Sequence, residues 1–251
     1  MKDKIKEILK QKYSDKVIML LKFTSREEFA QDVLDGKLYM NTAEFYREYE
    51  EKHNIKGIGD KNELKLEISP ITLTLNISGK ELKLKPTGKA VFEYKDDKNM
   101  PMYCMTYLTI DDFEIINYDE NSVTLGLNLD IDLLKKDFGE YVTIIINADE
   151  FKERIFIKQK EYDVDTTFGL VKYREKFDKN RTEEFLSASI ERFLYKDKDY
   201  EYQKECRIII SRYVDDDKYF RVDDLRDIAL NCKTSELKEK LIIECKYINR
   251  I

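Results

Sequence analysis

Apolar and polar positions recur with two periods along this chain, and each period predicts a kind of element. Residues 3–13 place Ile5, Ile8 and Leu9 at helical spacing among lysines and glutamates. VIMLLKFTS follows, an apolar run of strand length. Ser25, with Glu28 three residues on, predicts a capping box. REEFAQDVLD then sets Phe29, Val33 and Leu34 on one side of a helix, and Gly36 ends it. KLYM reads as a short strand. Asn41 and Glu44 repeat the cap pattern and open a second helix, AEFYREYEE.

Residues 64–94 alternate Leu, Ile, Thr and Val, with turns at Ser78-Gly79 and near Pro86-Thr87-Gly88, a pattern that predicts hairpins. PMYCMTYLT, SVTLGLNLD, EYVTIIIN, GLVKYRE and YQKECRIIISRY read as strands. LDIDLLKKDF, a segment starting at Asn147 or Asp149, and TEEFLSASIERFLY read as helices. From about FRVDDL onward the pattern predicts strand, turn, short helix and a last strand, ELKEKLIIECKYI. There is no internal repeat, low-complexity block or Pro/Ser-rich linker. The expected architecture is a single α+β domain over residues 1–251. Its core is a mixed or antiparallel sheet with short flanking helices, and 64–94 form a β-hairpin insertion.

Composition narrows the function classes. The chain has 251 residues, 42% hydrophobic and 38% charged, with 17 Tyr and 13 Phe, enough to bury a sizeable core. Its net charge is −6 and no long Lys/Arg cluster occurs, so bulk binding to nucleic acid is not expected. A local basic pocket for one phosphorylated ligand stays open. Four cysteines without CxxC spacing and a single histidine, His53, argue against a zinc site. The N-terminus has no signal-peptide core and no apolar run approaches membrane-spanning length, so a cytoplasmic protein is expected.

GxGxxG, Walker A, HExxH and GxSxG motifs are all missing. His53 lies in the charged run EYEEKHN and reads as an exposed surface residue. Three stretches carry chemistry. In LLKFTSREEFAQDVLDGKLYMNT, Lys22 interrupts an apolar strand on the face opposite Leu21 and Phe23. A buried ammonium must reach solvent or meet an anion; a guard against edge pairing is the structural alternative. In EFYREYEEKHNIKGIGDKNE, Tyr46, Arg47 and Glu50 fall within one helical turn. Gly57 and Gly59 free the loop after them, and Asp60 and Glu63 could hold a cation or orient a sugar hydroxyl; a mobile acidic loop is the plainer alternative. In YEYQKECR, an extended chain puts Gln203, Glu205 and Arg207 on one face. A carboxylate fixed by an adjacent arginine can accept hydrogen bonds from a ribose or stabilise an oxocarbenium-like centre. An Arg–Glu pair on an outer sheet face is the competing reading.

Taken in order, these stretches resemble an uncharacterised family of bacteria, phages and prophages similar to the DUF2971 group. That likeness covers most of the chain. A second, more distant likeness is to DarT-type ADP-ribosyltransferases, which open with a strand, helix, Gly and second strand and carry a Q-x-E pair before a late strand. This resemblance implies that Glu205 engages the nicotinamide ribose of NAD and that Gln203 addresses the acceptor. Lys22 stands where that group's usual His or Arg touches the dinucleotide. Tyr39 or Tyr46 would stack on the nicotinamide, and Arg47 or Lys22 would meet the pyrophosphate. The expected catalytic residues are therefore Glu205 and Gln203, and the expected cofactor-binding residues Lys22, Tyr39, Tyr46, Arg47 and Arg207, with no metal. The expected function is ADP-ribosyl transfer from NAD to a protein or nucleic acid. The alternative is a non-catalytic phage defence or anti-defence protein that binds a protein or nucleotide partner. A metal-dependent nuclease built on Asp60, Glu63 and Glu205 is a third reading.

Overall fold

The structure, a computed structural model, describes residues 2–13, 16–53, 57–69, 74–83, 88–176 and 178–246. Its centre is a twisted sheet of seven strands: β1 (Met19–Thr24), β2 (Asn41–Thr42), β3 (Pro101–Leu108), β4 (Tyr141–Ile145), β5 (Thr166–Leu170), β6 (Glu205–Ile210) and β7 (Ala229–Lys233). The spatial order is β5-β6-β3-β1-β4-β7, with β2 pairing the first residues of β3. Every pairing in it is antiparallel. Among the described residues seven helices accompany it: α1 (Lys2–Tyr13), α2 (Glu27–Leu34), α3 (Ala43–His53), α4 (Ile131–Phe138), α5 (Ala148–Tyr162), α6 (Lys179–Leu186) and the short α7 (Leu237–Lys240). The fold is α+β. Among the described residues no helix is long and apolar enough to cross a membrane.

The period-2 pattern of the strands sends alternate residues to two faces. Leu20, Ile145, Tyr103, Met105, Cys206 and Ile208 point to the first face, against Val33 and Leu34 of α2 and Phe151 and Ile155 of α5. Leu21, Leu108, Val142 and Ile144 point to the second, against Ile5 of α1 and Ile131 and Leu134 of α4. A separate cluster on the second face joins Met102 and Ile209 to Ala43 of α3, Leu64 and Phe193. Each such fully buried side chain contributes on the order of 1.5–3 kcal/mol. Polar residues occupy the sheet between these two clusters, and they are the subject of the next section.

Within 64–94 the described residues form two antiparallel strand pairs. Leu66–Ile68 pairs with Ala90–Phe92, and Thr74–Ile77 with Lys80–Lys83. The inner turn uses left-handed Ser78 and Gly79, with φ of 53° and 81°, as a two-residue hairpin requires. The predicted turn at Pro86-Thr87 and the end of the last strand at Tyr247-Ile248 lie outside the described residues.

Several local expectations are corrected. Arg26, without a side-chain cap bond, precedes α2 in place of a Ser25–Glu28 box. Thr42, not Asn41, accepts from the Phe45 amide at the start of α3. Residues 182–195 are not one helix: Ala188 turns left-handed (φ 55°) and a 3-10 turn, Ile190–Leu194, leads into the strand Tyr195–Asp197. Residues 198–203 are likewise a 3-10 turn, ended by left-handed Lys204, so the extended stretch begins only at Glu205. The strands Phe113–Tyr118 and β7 had no counterpart in the predicted elements.

Candidate functional site

The sheet is split at one point. β1 pairs with β3 over three positions only, Met19–Leu21 against Thr106–Leu108. Beyond Leu21, β1 stays with β4, while β3 continues with β6 and meets β2 at Pro101 and Met102. Among the described residues Tyr103, Cys104 and Met105 therefore have no strand on that edge. A cavity of about 600 Å³ occupies the opening, within the usual range for ligand pockets. Its wall includes Tyr103 and Met105, which face one way, and Cys104 and Thr106, which face the other, so the cavity reaches both faces of the sheet.

Lys22 sits where the strands diverge. Its ammonium donates to the Cys104 carbonyl at 2.8 Å, filling one vacant rung of the ladder, and lies 4.1 Å from the centre of the Tyr103 ring. It forms no ion pair among the described residues. Burial pushes its pKa below the ordinary lysine value. An anion brought into the cavity would relieve that cost.

On the second face, Glu205 and Arg207 of β6 stand beside Thr106 and Cys104 of β3. Arg207 Nε donates to Glu205 Oε1 at 2.7 Å, and its two terminal nitrogens donate to Glu63 Oε1 and Oε2 at 2.8 and 2.9 Å. Lys196 Nζ donates to Glu205 Oε2 at 3.0 Å and to Gln203 Oε1 at 2.7 Å. Gln203 Nε2 in turn donates to the Gly57 carbonyl at 2.9 Å. The Glu205 amide donates to Tyr173 Oη at 2.7 Å, which fixes the strand's first residue. Burial alone would raise the Glu205 carboxyl; Arg207 and Lys196 overcome it and hold the group well below the usual carboxylate range. Two cations, Arg207 and Lys196, face the carboxylates of Glu63 and Glu205 here, whereas Lys22 stands apart from them.

Lys22, Tyr39, Tyr46, Gln203, Glu205 and Arg207 all line this one cavity. Arg47 does not. Its Nε donates to the Glu63 carbonyl at 2.7 Å and its Nη1 to Glu93 at 2.9 Å, so it ties the loop to the outer hairpin. The expected meeting of Arg47 with a pyrophosphate has no geometric basis. Glu63 spends both oxygens on Arg207, and among the described residues no three His, Cys, Asp or Glu side chains are grouped to hold a metal ion. His53 is exposed and lies beside Tyr49, with ring centres 4.6 Å apart and the planes tilted by 40°.

The loop glycines act by close approach, not by unusual φ. A Cβ on Gly59 would stand 2.5 Å from the Glu50 amide nitrogen, and one on Gly57 would stand 2.3 Å from the Asp137 Cβ. Lys196 was not legible as a site residue, since it lies in the charged run YKDKDYEY, which reads as a solvated surface; it is 5% exposed. Asp32, Lys37 and Tyr219, also on the cavity wall, carried no motif.

Compared with protein-family models, curated proteins and solved structures, the chain matches none. The function is therefore argued from the cavity alone.

Proposed function

We propose that the protein is ADP-ribosyltransferase-like and binds NAD in the cavity at the sheet split, with a protein or nucleic acid as acceptor. One observation carries this reading: Lys22 and Glu205, far apart in the chain, line the same cavity, one an unpaired cation and the other an immobilised carboxylate. The ammonium suits the pyrophosphate. Tyr46, half-buried and on the same wall, offers a ring to the nicotinamide.

Glu205 acts here as a hydrogen-bond acceptor. Arg207 and Lys196 neutralise it: Oε2 accepts from Lys196 at 3.0 Å and from Arg207 at 3.4 Å, while Oε1, which accepts from Arg207 Nε, keeps a further lone pair for a ribose hydroxyl. Fixed in this way it would orient the ribose while the bond from C1′ to the nicotinamide nitrogen breaks. The bonding pair leaves with the ring nitrogen, cancelling its positive charge, and the acceptor nucleophile then adds to C1′ and gives up its proton to water. Gln203 is anchored by Lys196 and Gly57 and stands ready to address that acceptor.

The test is NAD consumption by the purified protein beside Glu205→Gln and Lys22→Met. Turnover should fall at least about a hundredfold in Glu205→Gln, the scale of a lost positioning contact. In Lys22→Met the loss should show mainly as a raised KM. Equal turnover in all three, or none in any with protein and nucleic-acid acceptors supplied, would sink the enzymatic reading and favour a binding protein.

A further inference from the structure

The cavity has a second half that the ribose chemistry leaves unused. It lies on the first face of the sheet, beside α2 and the paired strands Lys37–Tyr39 and Tyr219–Arg221. Phe29 and Tyr39 line it and are 43% and 45% exposed, so both rings are open to an occupant. Tyr39 and Tyr219 meet edge to face, 5.3 Å between centres, which holds the Tyr39 ring in place. Asp32 Oδ1 accepts from Lys37 at 3.1 Å, and Oδ2 accepts from the Tyr219 hydroxyl at 3.1 Å. The carboxylate is thus oriented on both oxygens but remains partly exposed to the cavity.

We propose that this half of the cavity is a nucleobase site selective for adenine, with Tyr39 and Phe29 as stacking surfaces and Asp32 as acceptor for the exocyclic amine. A carboxylate can only accept. It rewards a base that presents an N–H there and opposes a base that presents a carbonyl oxygen. Stacking on the exposed rings is independent of that choice. Lys22, at the split, would take the phosphate that follows the base and ribose.

The assignment rests on the nucleotide reading above, and the experiment separates the two. AMP and IMP differ at the amine that Asp32 would contact. Titrated calorimetrically into the full chain, AMP should bind about tenfold or more tightly than IMP, the effect of opposing an acceptor to a buried acceptor. Asp32→Asn, which supplies a donor, should bring that ratio near one. Tyr39→Ala, at an exposed position, should weaken both ligands alike. Equal binding of AMP and IMP, no AMP binding, or an unchanged ratio in Asp32→Asn would overturn the site. NAD turnover matched by its hypoxanthine analogue would remove this site and leave the NAD reading standing. AMP selectivity without NAD turnover would do the reverse.

Discussion

Arg207 and Glu63 meet end on, 144 positions apart in sequence, through two parallel hydrogen bonds of 2.8 and 2.9 Å, and both side chains are at most 2% exposed. The pair closes the loop 57–64 over the sheet and fixes the guanidinium that fixes Glu205.

Removing one partner strands a charge in a dry interior. Glu63→Ala should lower the unfolding free energy by about 3–5 kcal/mol, the usual cost of breaking a buried pair. Glu63→Gln, which keeps one acceptor, should lose less. Urea denaturation at neutral pH measures both, and a Glu63→Ala loss under about 1 kcal/mol would show that the loop is held by other contacts.

Asp60 lies beside this pair and is 3% exposed. Burial, and next Glu63, raise its pKa from 3.8 to about 6. A carboxyl raised in the fold favours folding below its ordinary value and loses that contribution as pH climbs to about 6. Asp60→Asn should therefore be more stable than the parent by about 1–3 kcal/mol at pH 7.5, and the difference should vanish near pH 4. Glu205 works in the opposite sense: its contribution is present above the ordinary 4.5 and fades only as pH drops through its own lower value. Stability curves of the two proteins against pH decide it; parallel curves would contradict the assignment.

Cys104 lines the cavity, but its thiol is pushed up to about 12, first by burial and then by Glu205. Iodoacetamide at pH 8 should leave it unmodified in the native protein, since the thiolate is the reactive form. Glu205→Gln removes one cause while Arg207 and Lys196 remain, so labelling of Cys104, followed by peptide mass spectrometry, should rise several-fold. Equal rates would mean that Glu205 does not govern the thiol.

Gly59 has room for no side chain, with the α3 backbone at Glu50 in the way. Gly59→Ala should cost about 1–3 kcal/mol by lifting the loop from α3, and should weaken ligand binding, because the same loop carries Glu63 and the Gly57 carbonyl that receives Gln203. Unchanged melting temperature and affinity would argue that the loop shifts freely.

The central strands were legible in the sequence as short apolar runs, as β1, β3, β4 and β6 show, because a strand covered on both faces has apolar residues at consecutive positions. So was the α+β class. Lys22 stood out as a charge inside an apolar run, and Glu205 as a carboxylate at a strand's start. Lys196 was hidden for the opposite reason: a buried lysine among surface charges has no local signature, and only the left-handed turns at Ala188 and Lys204 bring it inward. Asp32 and Tyr219 meet across 187 positions, a distance over which a lone chain offers no pattern.

Three rungs between β1 and β3 are the seam joining β1, β4 and β7 to β3, β5 and β6. Whatever fills the gap beyond them is in effect a missing strut, bearing on both sides of the fold at once. Amide exchange should then slow together at Phe23 and at Met105 when the cavity is occupied, as a wedge stiffens a half-open book.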